Sequence, residues 1–128
     1  MAKARQFTIS CENRPGTLAD GAKVLGDAKV NILAMLVTTA GTEGYVRLVV
    51  DKPAKAKKAL DGAGVRYTEE AVLHVELRNV PGALAAFAQK LADKGINITA
   101  GYQTAVKGSR KASVVLAVSD LDTAARVR

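Results

Sequence analysis

The sequence has few of the residues that catalytic and disulfide-linked proteins rely on. It contains one cysteine, Cys11, one histidine, His74, and no tryptophan in 128 residues. A single cysteine excludes an internal disulfide, which suits a reducing compartment. No second histidine or carboxylate cluster has metal-ligand spacing, and no base is placed near Cys11. We therefore predict no catalytic residue, no metal site and no cofactor.

Aromatic residues are also scarce, at 4% of the chain, and long apolar runs are missing. The core must therefore be built from Ala, Val, Leu and Ile. No run has the length of a membrane span or secretory signal, so we expect a soluble cytoplasmic protein. The net charge of +7 attracts anions, membranes or nucleic acid without specificity. The lysines are scattered, apart from a group at 52–58, and this favours a solvated helix face.

What the sequence does contain is an internal repeat. Residues 13–18 (NRPGTL) return as 79–84 (NVPGAL), and the Val-Asn-Ile of 30–32 returns as the Ile-Asn-Ile of 96–98. Both pairs are separated by the same offset of 66, and thirty aligned positions from residue 9 onward hold twelve identities. A repeat of this kind predicts one structural module used twice.

Each copy has the pattern strand, helix, strand, strand, helix, strand. Phe7, Ile9 and Cys11 alternate with polar residues, which indicates a half-buried strand, and the apolar spacing over 16–28 predicts a helix. This order is typical of the ferredoxin-like βαββαβ fold. The sequence therefore predicts an α+β protein with two such repeats and antiparallel sheets.

The repeats are predicted to span residues 1–70 and 71–128. From the third strand onward the offset becomes 68, so Arg128 aligns with Leu60 and the second repeat lacks its last strand. A final helix is predicted from Ser119-Asp120 to Arg128. The missing strand would expose an edge that invites pairing with another chain, or the repeat is simply a shortened one.

Each repeat resembles an ACT domain, a small ferredoxin-like module that binds amino acids and regulates metabolic enzymes. The resemblance rests on the two Asn-x-Pro-Gly loops and on the Asn-Ile starts of the second strands. The loops are most similar to those of the serine-sensing domain of phosphoglycerate dehydrogenase, in which both asparagines touch the effector. That domain has a histidine where this sequence has Cys11 and Leu77, so serine is not carried over as the effector.

The resemblance implies ligand-binding residues in the loops and at the second-strand starts. An asparagine side chain offers a donor and an acceptor to a zwitterion, a glycine lets a ligand approach the backbone, and a helix N-terminus favours a carboxylate. Alternatively, the loops are only strand-to-helix turns and the strand-start asparagines only cap strand ends. The predicted ligand-binding residues are Asn13, Pro15, Gly16, Leu18, Asn31, Asn79, Pro81, Gly82, Leu84 and Asn97.

The topology separates the two asparagines of one repeat. Asn13 ends the first strand and Asn31 begins a second strand parallel to it, so roughly 17–20 Å lies between them. They cannot share one small ligand. We therefore predict two composite sites, one formed by Asn13 and Gly16 with Asn97, the other by Asn79 and Gly82 with Asn31. The partners come from the other repeat or from a second chain of a homodimer.

The function predicted from these features is a non-catalytic sensor of a free amino acid that regulates an enzyme or pathway of amino-acid metabolism. The expected partners are the amino-acid effector and either a second copy or a metabolic enzyme. One alternative is a regulatory subunit that docks on an enzyme without a ligand. A weaker alternative is a basic nucleic-acid-binding module, but such modules stack bases on aromatic residues that this sequence largely lacks.

Overall fold

A computed structural model describes residues 2–127 of the chain. These residues form six strands and four helices, in the predicted order except that the two strands predicted on either side of residue 70 are one strand. The elements are β1 (Ala2–Glu12), α1 (Thr17–Asp27), β2 (Ile32–Ala40), β3 (Glu43–Val50), α2 (Pro53–Gly62), β4 (Tyr67–Arg78), α3 (Ala83–Asp93), β5 (Ile98–Ala105), β6 (Lys111–Val118) and α4 (Leu121–Ala124).

The chain divides into two compact units. The N-terminal unit is Arg5–Glu70, and the C-terminal unit consists of residues 71–127 together with residues 2–4. In the N-terminal unit the strand order is β2-β3-β1-β4. In the C-terminal unit it is β1-β4-β6-β5, with residues 2–4 as the part of β1 beside β4. Both orders are those of a ferredoxin-like sheet, so the predicted α+β fold with two βαββαβ-type repeats is confirmed.

One face of each sheet packs against the helices of its own unit. In the N-terminal unit, β1 and β2 both pair antiparallel with β3, and Phe7 lies opposite Leu48 on the covered face. In the C-terminal unit, β4 and β5 pair antiparallel with β6. The N-terminal core consists of Phe7, Ile9, Leu25, Val30, Val46, Leu48, Val50, Ala56 and Leu60. The C-terminal core consists of Leu73, Val75, Phe87, Leu91, Ile96, Val114, Leu116, Ala124 and Val127.

Within residues 2–127 no strand follows α4 in the second repeat. The position beside its first strand is taken by residues 2–4 at the start of β1. Lys3 of this segment forms an exposed ion pair with Asp122, the second residue of α4. The N-terminal end of the chain therefore occupies the strand position that the second repeat leaves open.

Two sequence-based boundaries are wrong. We predicted separate strands before and after residue 70, but β4 runs unbroken over Tyr67–Arg78 because no turn residue interrupts it. We also predicted a last helix up to Arg128, which lies outside the described residues; α4 already ends at Ala124. Beyond it the backbone closes tight turns, and Val127 turns inward and is buried in the core.

Candidate functional site

The loop that follows β1 is tied to the β2–β3 hairpin by Asn13. Its backbone N–H donates to the carbonyl of Thr42 at 2.9 Å, and its side-chain Nδ2 donates to the carbonyl of Gly41 at 3.0 Å. The side-chain Oδ1 of Asn13 accepts no hydrogen bond from the described residues, and the residue is exposed. Asn13 thus has a structural role in the turn and still presents an acceptor to solvent.

The second loop repeats this arrangement. The backbone N–H of Asn79 donates to the carbonyl of Arg110 at 2.9 Å, and its side-chain Nδ2 donates to the carbonyl of Ser109 at 3.0 Å. Because the same bonds occur in both repeats, the asparagine is required by the loop geometry whether or not a ligand binds. The asparagine therefore has the same structural role in both loops, which is the role that the alternative interpretation of the sequence assigned to it.

The glycines of the loops stand at the N-caps of α1 and α3. Gly16 has φ 93° and Gly82 has φ 87°, a left-handed conformation that a side chain would strain. Within residues 2–127 neither helix is capped by a side chain at the positive end of its dipole, although the Ala83 N–H at the start of α3 donates to the carbonyl of Val80 at 3.3 Å. Leu18 and Leu84 lie in these turns and are 38% and 44% exposed. Pro15 and Pro81 are exposed beside them.

The asparagines at the second-strand starts behave differently. The backbone N–H of Asn31 donates to the Asp51 side chain at 2.9 Å, and that of Asn97 donates to Ser119 Oγ at 2.9 Å. Both asparagines are exposed, and their own side-chain amides form no hydrogen bond with the described part of the chain. The strand-end capping that we considered is thus performed by Asp51 and Ser119. The side-chain amides of Asn31 and Asn97 take no part in this capping.

Within one unit the two asparagines lie at opposite ends of β3. Asn13 adjoins Thr42 just before this strand, whereas Asn31 adjoins Asp51 just after it. A small ligand cannot span the length of the strand. The pairing of each loop with a strand-start asparagine from elsewhere stays a prediction.

The N-terminal loop carries a charged cluster that sequence reasoning did not assign to the site. Arg14 Nε lies 3.1 Å from Glu12 Oε2, and a second guanidinium nitrogen lies 3.9 Å from Asp20. Arg14, Arg66 and Glu43 line a cavity of about 700 Å³ beside Asn13. In the sequence, only the Glu12-x-Arg14 spacing could have indicated this cluster. Arg66 belongs to the segment that joins α2 to β4.

Residues 2–127 match the ACT domain pair family. The chain belongs to this family. None of the curated proteins matches it at a significant level.

Solved structures also contain this ACT pair fold. The chain is 31% identical to a protein from Bacteroides thetaiotaomicron, with 96% of this chain and 84% of that chain covered and a TM-score of 0.89. The regulatory subunit of aspartate kinase from Thermus thermophilus is 19% identical, with 98% and 90% covered and a TM-score of 0.70. At that identity the similarity establishes the fold alone.

The loops of the two ACT repeats differ in chemistry despite their common backbone. Arg14 is replaced by Val80, which is 48% exposed and cannot form an ion pair. The Cys11 Sγ lies 3.1 Å from the position that a Cβ atom on Gly44 would occupy. In the second repeat, Leu77 stands at the position of Cys11. The two loops therefore offer a ligand unequal surroundings.

The other residues that we considered do not form a second site. His74 Nε2 lies 2.7 Å from Ser113 Oγ on the neighbouring strand. No three His, Cys, Asp or Glu side chains in residues 2–127 are grouped closely enough to hold a metal ion. Over the same residues, no helix has the length and apolar character needed to cross a membrane.

Proposed function

We propose that this ACT domain pair is a non-catalytic sensor that binds a free amino acid and regulates an enzyme or pathway of amino-acid metabolism in the cytoplasm. Membership of the family supports a regulatory role. Two structures of the same fold are the regulatory subunit of aspartate kinase from Thermus thermophilus and aspartokinase alpha and beta subunits. They suggest the kind of enzyme that an ACT pair serves.

The single observation that carries the proposal is the set of polar groups left open in both repeats. Each loop has uncapped helix N–H groups, which suit a carboxylate. Each loop asparagine has an Oδ1 that accepts no hydrogen bond from residues 2–127, and such an acceptor suits an ammonium group. The Asn31 and Asn97 side chains serve no bond within the described fold. Ligand binding explains why both amides recur at matched positions.

A ligand that contacts both a loop asparagine and a strand-start asparagine cannot find both in the same unit, so the second asparagine must come from elsewhere. The proposed pairs remain Asn13 and Gly16 with Asn97, and Asn79 and Gly82 with Asn31. Because Arg14 has no counterpart at Val80, the two sites should differ in affinity. Binding would regulate only if the amino acid prefers one packing of repeats or subunits over another.

The test is thermal unfolding of the purified protein with each common amino acid. A ligand at about a hundred times its Kd adds about 2.7 kcal/mol to the folded state. That corresponds to several degrees, at roughly 2–4 °C per kcal/mol. We expect one or a few amino acids to raise the Tm.

Asn31→Ala and Asn97→Ala are the informative variants, because these side chains make no hydrogen bond with the part of the chain that the structure describes. We expect each to keep the Tm of the free protein and to lose part of the ligand-induced shift. Asn13→Ala is the matched control, since it also removes the bond to Gly41 and should lower the Tm without ligand. If no amino acid shifts the Tm, the sensor proposal fails and a ligand-independent docking subunit becomes the better interpretation.

A further inference from the structure

The end of the C-terminal sheet beside the Asn79 loop carries basic side chains that the fold leaves uncompensated. Arg78, the last residue of β4, lies directly opposite Lys111, the first residue of β6, and Arg110 precedes Lys111 in the chain. All three are exposed, and none forms an ion pair with the described part of the chain, nor does the nearby Glu76. Like charges directly opposite each other destabilise a sheet, so a bound anion would relieve this repulsion.

These charges lie beside Asn79. Arg78 precedes it in the chain, and the carbonyl of Arg110 accepts a hydrogen bond from the Asn79 N–H at 2.9 Å. The β5–β6 turn, whose Ser109 carbonyl accepts from the Asn79 side chain at 3.0 Å, adds the exposed Lys107. Exposed charges act over roughly 8 Å at physiological ionic strength. A ligand held at Asn79 therefore lies in a field of positive charge.

The equivalent positions of the N-terminal unit carry the opposite charge. Glu12 stands at the position of Arg78, and Glu43 stands at that of Lys111. The two glutamates also lie directly opposite each other, at the end of β1 and the start of β3. The backbone arrangement is therefore the same in both units, with an acidic pair in one and a basic pair in the other.

The basic residues near the Asn13 loop do not reverse this contrast. Arg14 Nε lies 3.1 Å from Glu12, and a second guanidinium nitrogen lies 3.9 Å from Asp20. Arg66 lines the cavity beside the loop together with Glu12 and Glu43. Three acidic side chains thus surround the first loop with two basic ones. A second negative charge on a ligand is disfavoured there.

We propose that the Asn79 loop binds an amino acid with an acidic side chain and that the Asn13 loop does not. The ligand class rests on the proposed function, since it specifies what one of the two proposed sites binds. The Asn79 Oδ1, which accepts no hydrogen bond from residues 2–127, suits the ammonium group of the ligand. The exposed cations suit the extra carboxylate, and the acidic pair of the first repeat selects against it.

The experiment is a titration of the full chain followed by ¹⁵N NMR, in which the amide signals of Gly82 and Gly16 report the two loops separately. Glutamate and glutamine are the matched ligands, because they differ in the charge of the side chain. At Gly82 we expect a Kd roughly tenfold lower for glutamate, which a few exposed ion pairs can supply. At Gly16 we expect no such preference. Added salt should narrow the difference at Gly82.

Glutarate is the control for a general anion site. It has both carboxylates of glutamate but lacks the ammonium group that Asn79 would contact. We expect glutarate to bind more weakly than glutamate at Gly82. Equal binding of the two would show a site for anions and overturn the assignment to an acidic amino acid.

The informative variant is Lys111→Glu, which places the charge of the first repeat at the equivalent position of the second. It also sets a glutamate opposite Arg78, a favourable pair, so the sheet should be retained. We expect the preference for glutamate at Gly82 to be lost. Glu43→Lys is the matched control and should keep that preference. Far-UV circular dichroism checks the fold of each variant, and Arg110→Glu provides a second test of the same charge.

The outcomes separate this ligand class from the sensor function itself. If no amino acid shifts either glycine signal, the proposed function and the ligand class fail together. If amino acids bind but Gly82 responds equally to glutamate and glutamine, the ligand class alone is wrong. It is also wrong if folded Lys111→Glu and Arg110→Glu keep the full preference, or if Glu43→Lys abolishes it, because the charge that selects the ligand would then lie elsewhere.

Discussion

The two units build cores of similar shape from different residues. In the N-terminal unit, the core phenylalanine is Phe7 on β1, and the equivalent of Phe87 on α1 is Gly21. In the C-terminal unit, the phenylalanine is Phe87 on α3, and Leu73 takes the place of Phe7. Each set of buried core residues thus holds one aromatic ring, supplied once by a strand and once by a helix. In the N-terminal unit the partly buried Tyr67 also packs against the core, with its ring centroid 5.6 Å from that of Phe7. The comparison teaches that this fold constrains the volume of the core more tightly than the residue at any one position.

The same comparison separates shared from divergent features elsewhere. The asparagine bonds of the loops and the left-handed glycines at the helix starts are duplicated. Among the described residues, the charged cluster at Arg14 and the exposed apolar side chains of Leu33, Met35 and Val37 have no counterpart at the aligned positions of the C-terminal unit. What the repeats share positions the backbone, and what they do not share lies at the surface.

The largest effect is expected from removing either aromatic ring. Phe7 and Phe87 are 0% and 4% exposed, and truncation of such a buried ring costs about 3–5 kcal/mol. We expect Phe7→Ala and Phe87→Ala to lower the free energy of unfolding by comparable amounts, measured in urea. Thr68→Ala on the surface is the control. A loss at one position several times that at the other would show that the two cores are not equivalent.

An intermediate effect is expected just after the C-terminal end of the first helix of each repeat, α1 and α3. Lys29 and Gly95 occupy the same position, with φ 62° and 71°. The left-handed conformation costs a residue with a side chain about 1–2 kcal/mol. Gly95→Lys should therefore destabilise by about that amount. Lys29→Gly should stabilise by up to about 1 kcal/mol, because greater freedom of the unfolded chain offsets part of the gain.

Urea unfolding of both variants measures this difference. The double variant, which exchanges the two residues between the repeats, should fall between the single ones. If Lys29→Gly destabilises the protein, the lysine side chain contributes more than the backbone strain costs.

The smallest effect is expected at the N-cap of the second helix of each repeat, α2 and α4. The side chain of Asp120 accepts a hydrogen bond from the Thr123 N–H and caps α4, whereas α2 has Lys52 at its N-cap and no capping bond. The hydrogen bond from the Thr123 hydroxyl is the main cause that lowers the pKa of Asp120, followed by the backbone bond. A lowered pKa stabilises the fold above the ordinary aspartate pKa, and this contribution is lost as the pH falls through the lower folded value.

The measurement is the unfolding midpoint of Asp120→Ala and wild type across the acidic range. The deficit of the variant should be full near neutral pH and shrink in acid. Lys52→Ala, at the equivalent cap, should show no such pH dependence. A deficit of Asp120→Ala that stays constant down to the most acidic pH would contradict this account.

Much of the fold could be predicted because its signals are local or repeated. The alternation at Phe7 to Cys11, the apolar spacing of 16–28 and the offset of 66 each depend on neighbouring residues or on self-comparison. The continuous β4 was missed because the repeat boundary suggested a break at residue 70 that the chain does not make. The last helix was overestimated because Val127 is drawn into a core whose other members lie far away in sequence.

The residues of the candidate site could be proposed from the sequence, but their hydrogen bonds could not. The loops and both kinds of asparagine recur in the sequence and could be found there. That Asn13 bonds a hairpin carbonyl while Asn31 leaves its amide free depends on which strand ends lie side by side. No spacing within the loops contains that information, so the choice of Asn31 and Asn97 as the clean test variants required the structure.

By itself the sequence determined the module, its duplication and the order of its elements. These follow from short-range sterics and from apolar periodicity, which act through residues close in the chain. Only the tertiary structure decided that residues 2–4 lie beside β4, that Arg14 and Arg66 line the same cavity, and that Leu33, Met35 and Val37 of β2 are left exposed. Those outcomes depend on the pairing of strands distant in sequence and on how far each helix covers its sheet, which no local pattern specifies.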